Sequence, residues 1–248
     1  MAYIRCDVMS SALRMGTSFV AIIPEQGAGE NTPVLYLLHG LSDSCTAWTR
    51  YTSIERYANV KKMAVIMPEV QRSFYTDMIF GLPYFRYITE ELPELCYNLF
   101  RLPKERKNNY VMGLSMGGYG AMKCALNYPE KYAGCAAFSA AMDMRGILKD
   151  IDNNQVFEVN EAKACFGQEL ILPEKCDLAE VLKKREVSEL PPFYITCGEQ
   201  DTLYEANARM VQALEAHGCE VTFEHWEGDH TWAVWDRSVR QAIDKLIR

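Results

Sequence analysis

The stretch Tyr110-Val-Met-Gly-Leu-Ser-Met-Gly-Gly-Tyr-Gly120 joins a short apolar run to a helical pattern of small residues. It contains the spacing G-x-S-x-G, with Ser115 between Gly113 and Gly117. A Cβ at either glycine would collide with the adjoining strand and helix, and the serine between them is held in a strained turn with its hydroxyl exposed. The stretch therefore predicts a strand, a sharp turn and a helix, with Ser115 as a candidate nucleophile.

The composition is that of an ordinary globular protein: 248 residues, 49% apolar and 24% charged, long enough for one large α/β domain. A formal charge of −7 argues against nucleic acid or an anionic membrane as a partner, because both favour basic surfaces. No run approaches the roughly 20 apolar residues that span a bilayer, and the charged N-terminus is unlike a signal peptide. A cytoplasmic location is therefore expected. Nine scattered cysteines without a C-x-x-C pair indicate reduced thiols.

Strand-like runs recur along the chain, and the later ones alternate with helical patterns. Two antiparallel-looking strands followed by strand–helix units predict a mostly parallel, eight-stranded sheet with helices on both faces. Helical periodicity is clear from Thr202 to His217, and Gly218 is placed to end that helix. The predicted strands are Tyr3–Val8, Ser18–Ile23, Val34–Leu38, Ala64–Met67, Tyr110–Met112, Cys135–Phe138, Phe193–Thr196 and Val221–His225.

The region from Asp143 to Leu190 interrupts this alternation. About 50 residues separate two strand candidates here, where a single crossover is usual. The region therefore predicts a cap-like insertion at about 143–190 within a single domain spanning 1–248. Earlier in the chain, Pro93 interrupts a helical pattern, so that helix either kinks or begins there.

A nucleophilic serine needs a histidine base, and the base needs a carboxylate that holds its tautomer. Of the four histidines, His230 lies in a polar loop between the last strand and the last helix. His217 lies near the end of a helical pattern and His225 within a strand pattern, so structural explanations suffice for both. His39 follows the third strand and is interpreted as a residue that shapes its loop.

The candidate acid follows the strand at 193–196. Asp201 lies there in the loop Cys197-Gly-Glu-Gln-Asp201, just before a helix. The order Ser115, Asp201, His230, each on a loop after a strand, is the order of α/β-hydrolase triads. The other candidates for the acid are Glu199, Asp229 and Asp236. Of these, Glu199 stays open as the main rival.

Attack on an acyl carbonyl creates an oxyanion, which backbone amides aimed at it stabilise by a few kcal/mol. Met116 offers one such amide, because it follows Ser115 at the start of the predicted helix. The second is expected from the loop after the third strand, where Gly40 permits close backbone approach and Leu41 follows it. Leu41 and Met116 are therefore the predicted oxyanion donors.

Six motifs occur in a fixed order from about residue 34 to residue 236. They are His39-Gly-Leu-Ser-Asp43 with Trp48, Tyr75-Thr-Asp77, Glu90-Glu-Leu-Pro93, Gly113-Leu-Ser-Met-Gly-Gly118, Cys197-Gly-Glu-Gln-Asp201-x-Leu-Tyr-Glu-Ala-Asn207 and Gly228-x-His230-x-Trp232. As an ordered set they resemble the esterase D-like family, most closely its bacterial tributyrin esterases. The resemblance implies an α/β-hydrolase fold and a serine carboxylesterase that acts on short acyl esters without a cofactor. It places the triad on Ser115, Asp201 and His230, and the oxyanion amides on Leu41 and Met116.

Related enzymes of the superfamily remove acetyl or feruloyl groups from plant polysaccharides, or hydrolyse S-formylglutathione. A carbohydrate acetyl or feruloyl esterase therefore stays open. The S-formylglutathione hydrolase interpretation is less favoured, because the chain has His39-Gly where those enzymes typically have Ser-Gly. A catalytically silent binding protein would be expected to lack a triad residue. The glycines after the strand do not fit the G-x-G-x-x-G spacing of nucleotide-binding loops.

The expected partner is a small-molecule or oligosaccharide ester, and homo-oligomer formation is left open. No metal site is expected, because no histidine and acid cluster has the spacing of metal ligands. Aromatic residues near the motifs are candidates for lining the acyl or alcohol pocket, and one acid is a candidate for its polar side. The candidates are Trp48, Tyr75, Asp77, Tyr119, Phe166 and Trp232.

Overall fold

The computed structural model describes residues 1–154 and 156–247. Its strands are β1 (Ala2–Ser10), β2 (Met15–Ile23), β3 (Val34–Leu38), β4 (Ala64–Pro68), β5 (Asn109–Leu114), β6 (Gly134–Phe138), β7 (Phe193–Gly198) and β8 (Val221–Trp226). They form one sheet in the order β1-β2-β4-β3-β5-β6-β7-β8. Strand β2 pairs antiparallel with β1 and β4, and all other neighbours are parallel. The predicted eight-stranded, mostly parallel sheet is confirmed.

Helices connect the parallel strands and cover both faces of the sheet. They are α1 (Ala47–Tyr51), α2 (Ile54–Lys61), α3 (Tyr84–Arg86), α4 (Leu92–Phe100), α5 (Met116–Asn127), α6 (Met144–Lys149), α7 (Val159–Phe166), α8 (Leu178–Lys183), α9 (Tyr204–His217) and α10 (Trp232–Leu246). Short 3₁₀ turns lie at Arg106–Asn108, Pro129–Lys131, Ile151–Asn153, Glu174–Cys176 and Val187–Glu189. As predicted, Gly218 terminates α9: it follows the last helical residue and adopts the left-handed conformation.

The central strands are buried along their whole length. Every residue of β3, β4, β5, β6 and β7 is buried, because helices cover both faces of a parallel sheet. The core accordingly forms two apolar clusters. The carboxyl ends of β3, β5, β6 and β7 lie at one edge of the sheet, where the loops of an α/β protein form its sites.

The helical segment around Pro93 is longer than a single α-helix. A π-helical turn at Tyr87–Glu91 joins α3 to α4, and Pro93 is the second residue of α4. Proline is tolerated there because its missing N–H falls in the first turn. The sequence predicted a helix that either kinks or begins near Pro93. In the structure, α4 begins at Leu92, and the turn before it is π-helical instead of α-helical.

Between β6 and β7 lie α6, α7 and α8 with their connecting turns. The predicted insertion also includes Gln155, which lies outside the described residues. Phe157, Ala162 and Leu178 from this segment are buried in the same apolar cluster as one face of the sheet. The segment is thus a packed helical layer at the edge where the site loops meet. In the described parts of the chain, no helix is long and apolar enough to cross a membrane.

Candidate active site

Ser115 alone connects the end of β5 to the start of α5. Its backbone has φ 52° and ψ −117°, a conformation that non-glycine residues rarely adopt. The Ser115 N–H donates to the Phe138 carbonyl (2.8 Å), and its carbonyl accepts from the N–H groups of Tyr119 (3.0 Å) and Ala141 (3.2 Å). A strained residue persists only where its surroundings fix it. These hydrogen bonds hold the half-buried Ser115 at the carboxyl edge of the sheet.

The glycines around Ser115 are required by close backbone contacts. A Cβ on Gly113 would lie 2.3 Å from the carbonyl oxygen of Gly117, and one on Gly117 would lie 2.3 Å from that of Leu38. Strand β5, helix α5 and the end of β3 therefore approach one another more closely than any side chain allows. The sequence interpretation of the G-x-S-x-G stretch agrees with this packing.

We expect Gly117→Ala to lower the free energy of unfolding by about 1–3 kcal/mol, the range for overpacking a buried site. The added methyl group meets backbone, which cannot rotate away. Urea denaturation of this variant and of Gly29→Ala provides the test, because a Cβ on Gly29 meets nothing within 4 Å. Equal stability of the two variants would contradict the packing described for the turn.

His230 and Asp201 form a hydrogen-bonded pair at the same edge. Nδ1 of His230 donates to Oδ2 of Asp201 at 2.8 Å, and the Leu203 N–H donates to Oδ1 at 2.9 Å. The Asp201 side chain is completely buried, whereas that of His230 is 33% exposed. Burial raises the pKa of the Asp201 carboxyl, but its interactions with His230, the Leu203 N–H and Ser139 together bring the pKa below its usual value, so the carboxyl stays ionised at neutral pH. The His230 and Trp235 rings pack almost perpendicular to each other, with 4.8 Å between ring centroids.

The rival acids have other partners. Glu199 pairs with His225 at 2.9 Å on the surface, and Asp236 accepts hydrogen bonds from the Ser53 N–H and the Tyr57 hydroxyl. Asp229 accepts from the backbone N–H of His230. Of the acids considered, only Asp201 contacts the imidazole of His230. His217 bonds through Nε2 to the Arg185 carbonyl, as expected for a structural histidine at the end of α9.

The two predicted oxyanion donors have unoccupied amides. Neither the Leu41 N–H nor the Met116 N–H donates a hydrogen bond to another described residue. The Ser115 hydroxyl likewise makes no hydrogen bond within the described chain. Catalytic hydrogen bonds often tighten only when substrate binds. An available hydroxyl and two available amides are what an incoming ester needs.

Two residues that shape the site had no predicted role in the sequence. The Asp43 carboxylate accepts from the Gly40 N–H at 3.2 Å and closes the turn that contains Leu41. Asn207, completely buried, accepts from the Ala140 N–H at 3.1 Å and donates to the Ala140 carbonyl at 2.8 Å. It thereby fixes the loop whose Ala141 N–H bonds to Ser115. Asn207 ends one of the quoted motifs, which was the only signal for it.

Three of the predicted pocket residues are completely buried and bond to backbone. The Trp48 indole N–H donates to the Leu38 carbonyl (3.1 Å). The hydroxyl groups of Tyr75 and Tyr119 donate to the carbonyls of His39 (2.9 Å) and Cys176 (2.7 Å). Trp48 and Tyr75 thus hold the end of β3 and the loop after it, and Tyr119 holds the turn before α8. A direct part in substrate binding stays a prediction for all three.

The other three lie at different depths. Phe166 is buried with its ring edge-on to Phe157, at a centroid distance of 6.5 Å. Trp232 is partly exposed and packs on Trp48 at 5.2 Å. Asp77 is exposed, and its carboxylate accepts from the Arg86 N–H at the start of a helical segment. No cluster of three or more metal-ligating side chains occurs in residues 1–154 and 156–247.

Comparison with known proteins identifies the family of this chain. The Esterase family model, described as "Putative esterase", matches residues 10–246. The chain belongs to this esterase family. An acetyl esterase from Caldicellulosiruptor saccharolyticus is 31% identical, and the match covers 100% of this chain and 99% of the relative. The α/β-hydrolase fold and carboxylic ester hydrolase class implied by the sequence motifs are thereby confirmed.

Two solved structures from Staphylococcus aureus resemble this esterase over its whole length. The fluorophosphonate-binding serine hydrolase FphF has a TM-score of 0.90 and 33% identity, covering 100% of this chain and 98% of that chain. An S-formylglutathione hydrolase, FrmB, has a TM-score of 0.87 and 34% identity, covering 100% and 99%. Full-length relatives are thus named both as an acetyl esterase and as an S-formylglutathione hydrolase, so the family alone does not identify the substrate of this esterase.

Proposed function

We propose that this esterase hydrolyses short-chain acyl esters through an acyl-enzyme on Ser115. The observation that carries the proposal is the His230–Asp201 hydrogen bond on loops at the same sheet edge as the strained Ser115. The free amides of Leu41 and Met116 complete the set of groups that acyl transfer requires.

In the proposed reaction, Nε2 of His230 takes the proton of Ser115 Oγ as that oxygen attacks the acyl carbon. The oxyanion accepts hydrogen bonds from the Leu41 and Met116 amides. The imidazolium then gives its proton to the alcohol oxygen as the ester C–O bond breaks. Water, deprotonated by the same nitrogen, attacks the acyl carbon of the acyl-enzyme. The imidazolium then returns this proton to Ser115 Oγ as the bond between Oγ and the acyl carbon breaks and the acid leaves. Asp201 holds Nδ1–H throughout and stabilises the imidazolium charge.

A wall of aromatic side chains supports the preference for a short acyl group. Tyr119 lies in the first turn after Ser115, with Phe74 at a centroid distance of 6.0 Å, and Phe74 lies 4.4 Å from Phe157. These rings and Phe166 are all buried. We take this cluster to border the acyl site, where a long acyl chain would have to displace close-packed rings and an acetyl group would not. The full-length acetyl esterase relative agrees with this interpretation.

A carbohydrate ester is the second candidate, and an aromatic surface near His230 favours it. Trp232 lies two residues after His230 and packs on the half-exposed Tyr51 at 5.0 Å, with 30° between the rings. The Arg50 guanidinium lies 5.6 Å from the Tyr51 ring centre. Flat aromatic surfaces beside a polar group suit the apolar face of a sugar ring. In that case, the sugar would be the alcohol part of the ester.

A substrate panel tests the proposal. We expect kcat/KM for p-nitrophenyl acetate and butyrate to exceed that for the octanoate by at least about tenfold, because pocket discrimination of this order follows from a few methylene groups. Acetylated xylo-oligosaccharides, methyl ferulate and S-formylglutathione belong in the same panel, with Ser115→Ala as the blank. A preference for octanoate would contradict the short-acyl assignment. If methyl ferulate or S-formylglutathione is turned over faster than every acetyl ester, the short-acyl assignment is wrong and that compound's class becomes the proposed substrate.

A further inference from the structure

The imidazole of His39 is buried beside the proposed oxyanion donor. Its Nδ1 lies 2.7 Å from the carbonyl oxygen of Gly40, and the side chain is only 1% exposed. This carbonyl and the Leu41 N–H belong to one planar trans peptide unit, in which they point in opposite directions. A donor that holds the Gly40 carbonyl on one side therefore directs the Leu41 N–H to the other side.

The hydrogen bonds around the ring determine which nitrogen of His39 donates. The Val70 N–H donates to Nε2 at 3.2 Å, and Oε1 of Glu69 lies 3.5 Å from the same nitrogen. Nε2 cannot accept from Val70 and donate to Glu69 at once. The backbone donor is closer and fixed in direction, so we assign Nε2 as its acceptor and place the ring proton on Nδ1. That proton is the one donated to Gly40.

Tyr75 holds the preceding peptide of the same loop. Its hydroxyl donates to the His39 carbonyl at 2.9 Å, and its side chain is completely buried. The Tyr75 ring fills the space beside Gly120, where a Cβ would lie 2.6 Å from ring carbons. Tyr75 therefore connects the loop that carries Leu41 with the helix that begins after Ser115.

A buried lysine secures Tyr75 in turn. Tyr75 has φ 51°, which is unfavourable for a bulky aromatic residue. Nζ of Lys123, on α5, donates to the Tyr75 carbonyl at 2.9 Å and lies 4.1 Å from the Phe85 ring centre. Lys123 is only 1% exposed. A buried ammonium group needs such partners, so the bond is strongly favoured over leaving the group unpaired.

We propose that His39 and Tyr75 are positioning residues for the Leu41 amide, with Lys123 anchoring Tyr75 to the helix of the nucleophile. The two side chains fix consecutive peptide units of one loop, so the oxyanion donor is already oriented before substrate binds. This inference rests on the proposed function, because it assumes that Leu41 contacts the oxyanion and that Ser115 is the nucleophile.

Tyr75→Phe removes one hydroxyl and keeps the ring. We expect kcat for p-nitrophenyl acetate to fall about 10- to 100-fold with KM changed less than about threefold, because a misplaced donor weakens only the transition state. Tyr194→Phe is the matched control, since Tyr194 is also buried but bonds to Glu224 and Gln241. Equal kcat for Tyr75→Phe and the wild type would overturn the role of Tyr75.

The two substitutions at His39 separate orientation from packing. His39→Asn keeps a donor at the position of Nδ1, whereas His39→Leu fills space without one. We expect His39→Asn to retain at least about tenfold more kcat than His39→Leu, at similar melting temperatures. Equal kcat for the two variants would contradict the role of the Nδ1–H bond.

A boronic acid that forms a tetrahedral adduct with the serine measures the oxyanion contacts without turnover. Its affinity should fall by the same factor as kcat/KM across the variants of His39 and Tyr75. Unchanged affinity alongside a reduced kcat would overturn the inference. Activity in Ser115→Ala would instead overturn the proposed function, so the two failures are distinguishable.

Discussion

Ser115→Ala is expected to lower kcat for p-nitrophenyl acetate by about 10⁴- to 10⁶-fold, as found when a serine nucleophile acting with its histidine is removed. The substitution deletes only Oγ, which makes no hydrogen bond to another described residue, so the fold should be retained. Steady-state kinetics with circular dichroism as the folding control checks both parts. Turnover above about 1% of wild type in a folded variant would exclude Ser115 as the nucleophile.

The same position also carries a stability prediction. Ser115 has φ 52°, and such a conformation costs roughly 1–3 kcal/mol in a residue other than glycine. The free energy of unfolding of Ser115→Gly should therefore exceed that of Ser115→Ala by about 1 kcal/mol, once the greater flexibility of unfolded glycine is subtracted. Urea denaturation measures this difference as a higher midpoint for Ser115→Gly. Equal midpoints would show that the turn is not strained. If Ser115→Gly is inactive but more stable than Ser115→Ala, the strained conformation at this position serves catalysis and not stability.

Asp201→Asn is expected to lower kcat by about 10³- to 10⁴-fold with little change in KM. An amide of nearly the same shape can donate to Nδ1 and so favour the wrong tautomer of His230. It also removes the negative charge that stabilises the imidazolium. Stopped-flow or steady-state assays at neutral pH measure this loss, because the pKa of the Asp201 carboxyl lies below its usual value and the wild-type group is ionised there.

Glu199→Gln is the matched control for this prediction. Glu199 lies two positions earlier in the same loop, but its carboxylate pairs with His225 on the surface. We expect its kcat to stay within about twofold of wild type, since exposed ion pairs contribute little. A large loss in Glu199→Gln with a small one in Asp201→Asn would reverse the assignment of the acid.

The fold was predictable because strands that are buried on both faces appear in the sequence as short, continuous apolar runs. The predicted bounds of Val34–Leu38 match β3, and every other strand was found within a few residues of its prediction. The π-helical turn before Pro93 could not be derived in this way. Helical periodicity in a short apolar segment does not distinguish i→i+4 from i→i+5 winding, and the proline gives only the place of the disturbance.

The sequence indicates candidate site residues where a motif imposes a local pattern. The glycine spacing led to the prediction of Ser115 and Met116, and the position after predicted strands led to that of Asp201 and His230. The supporting residues were less accessible, because a hydrogen bond such as that from Lys123 to the Tyr75 carbonyl joins residues 48 positions apart. A lone lysine within the buried pattern of α5 was a usable signal. Its partner could be identified only from the packed structure.

Covalent trapping of the nucleophile tests the central claim most directly. The protein is treated with a fluorophosphonate, digested, and the modified peptide is identified by mass spectrometry, with Ser115→Ala as the parallel sample. We expect one adduct, on Ser115 in the peptide that contains Gly113 and Gly117, and no adduct in the variant. Modification of a different residue in the wild type, with ester turnover persisting in Ser115→Ala, would contradict the account.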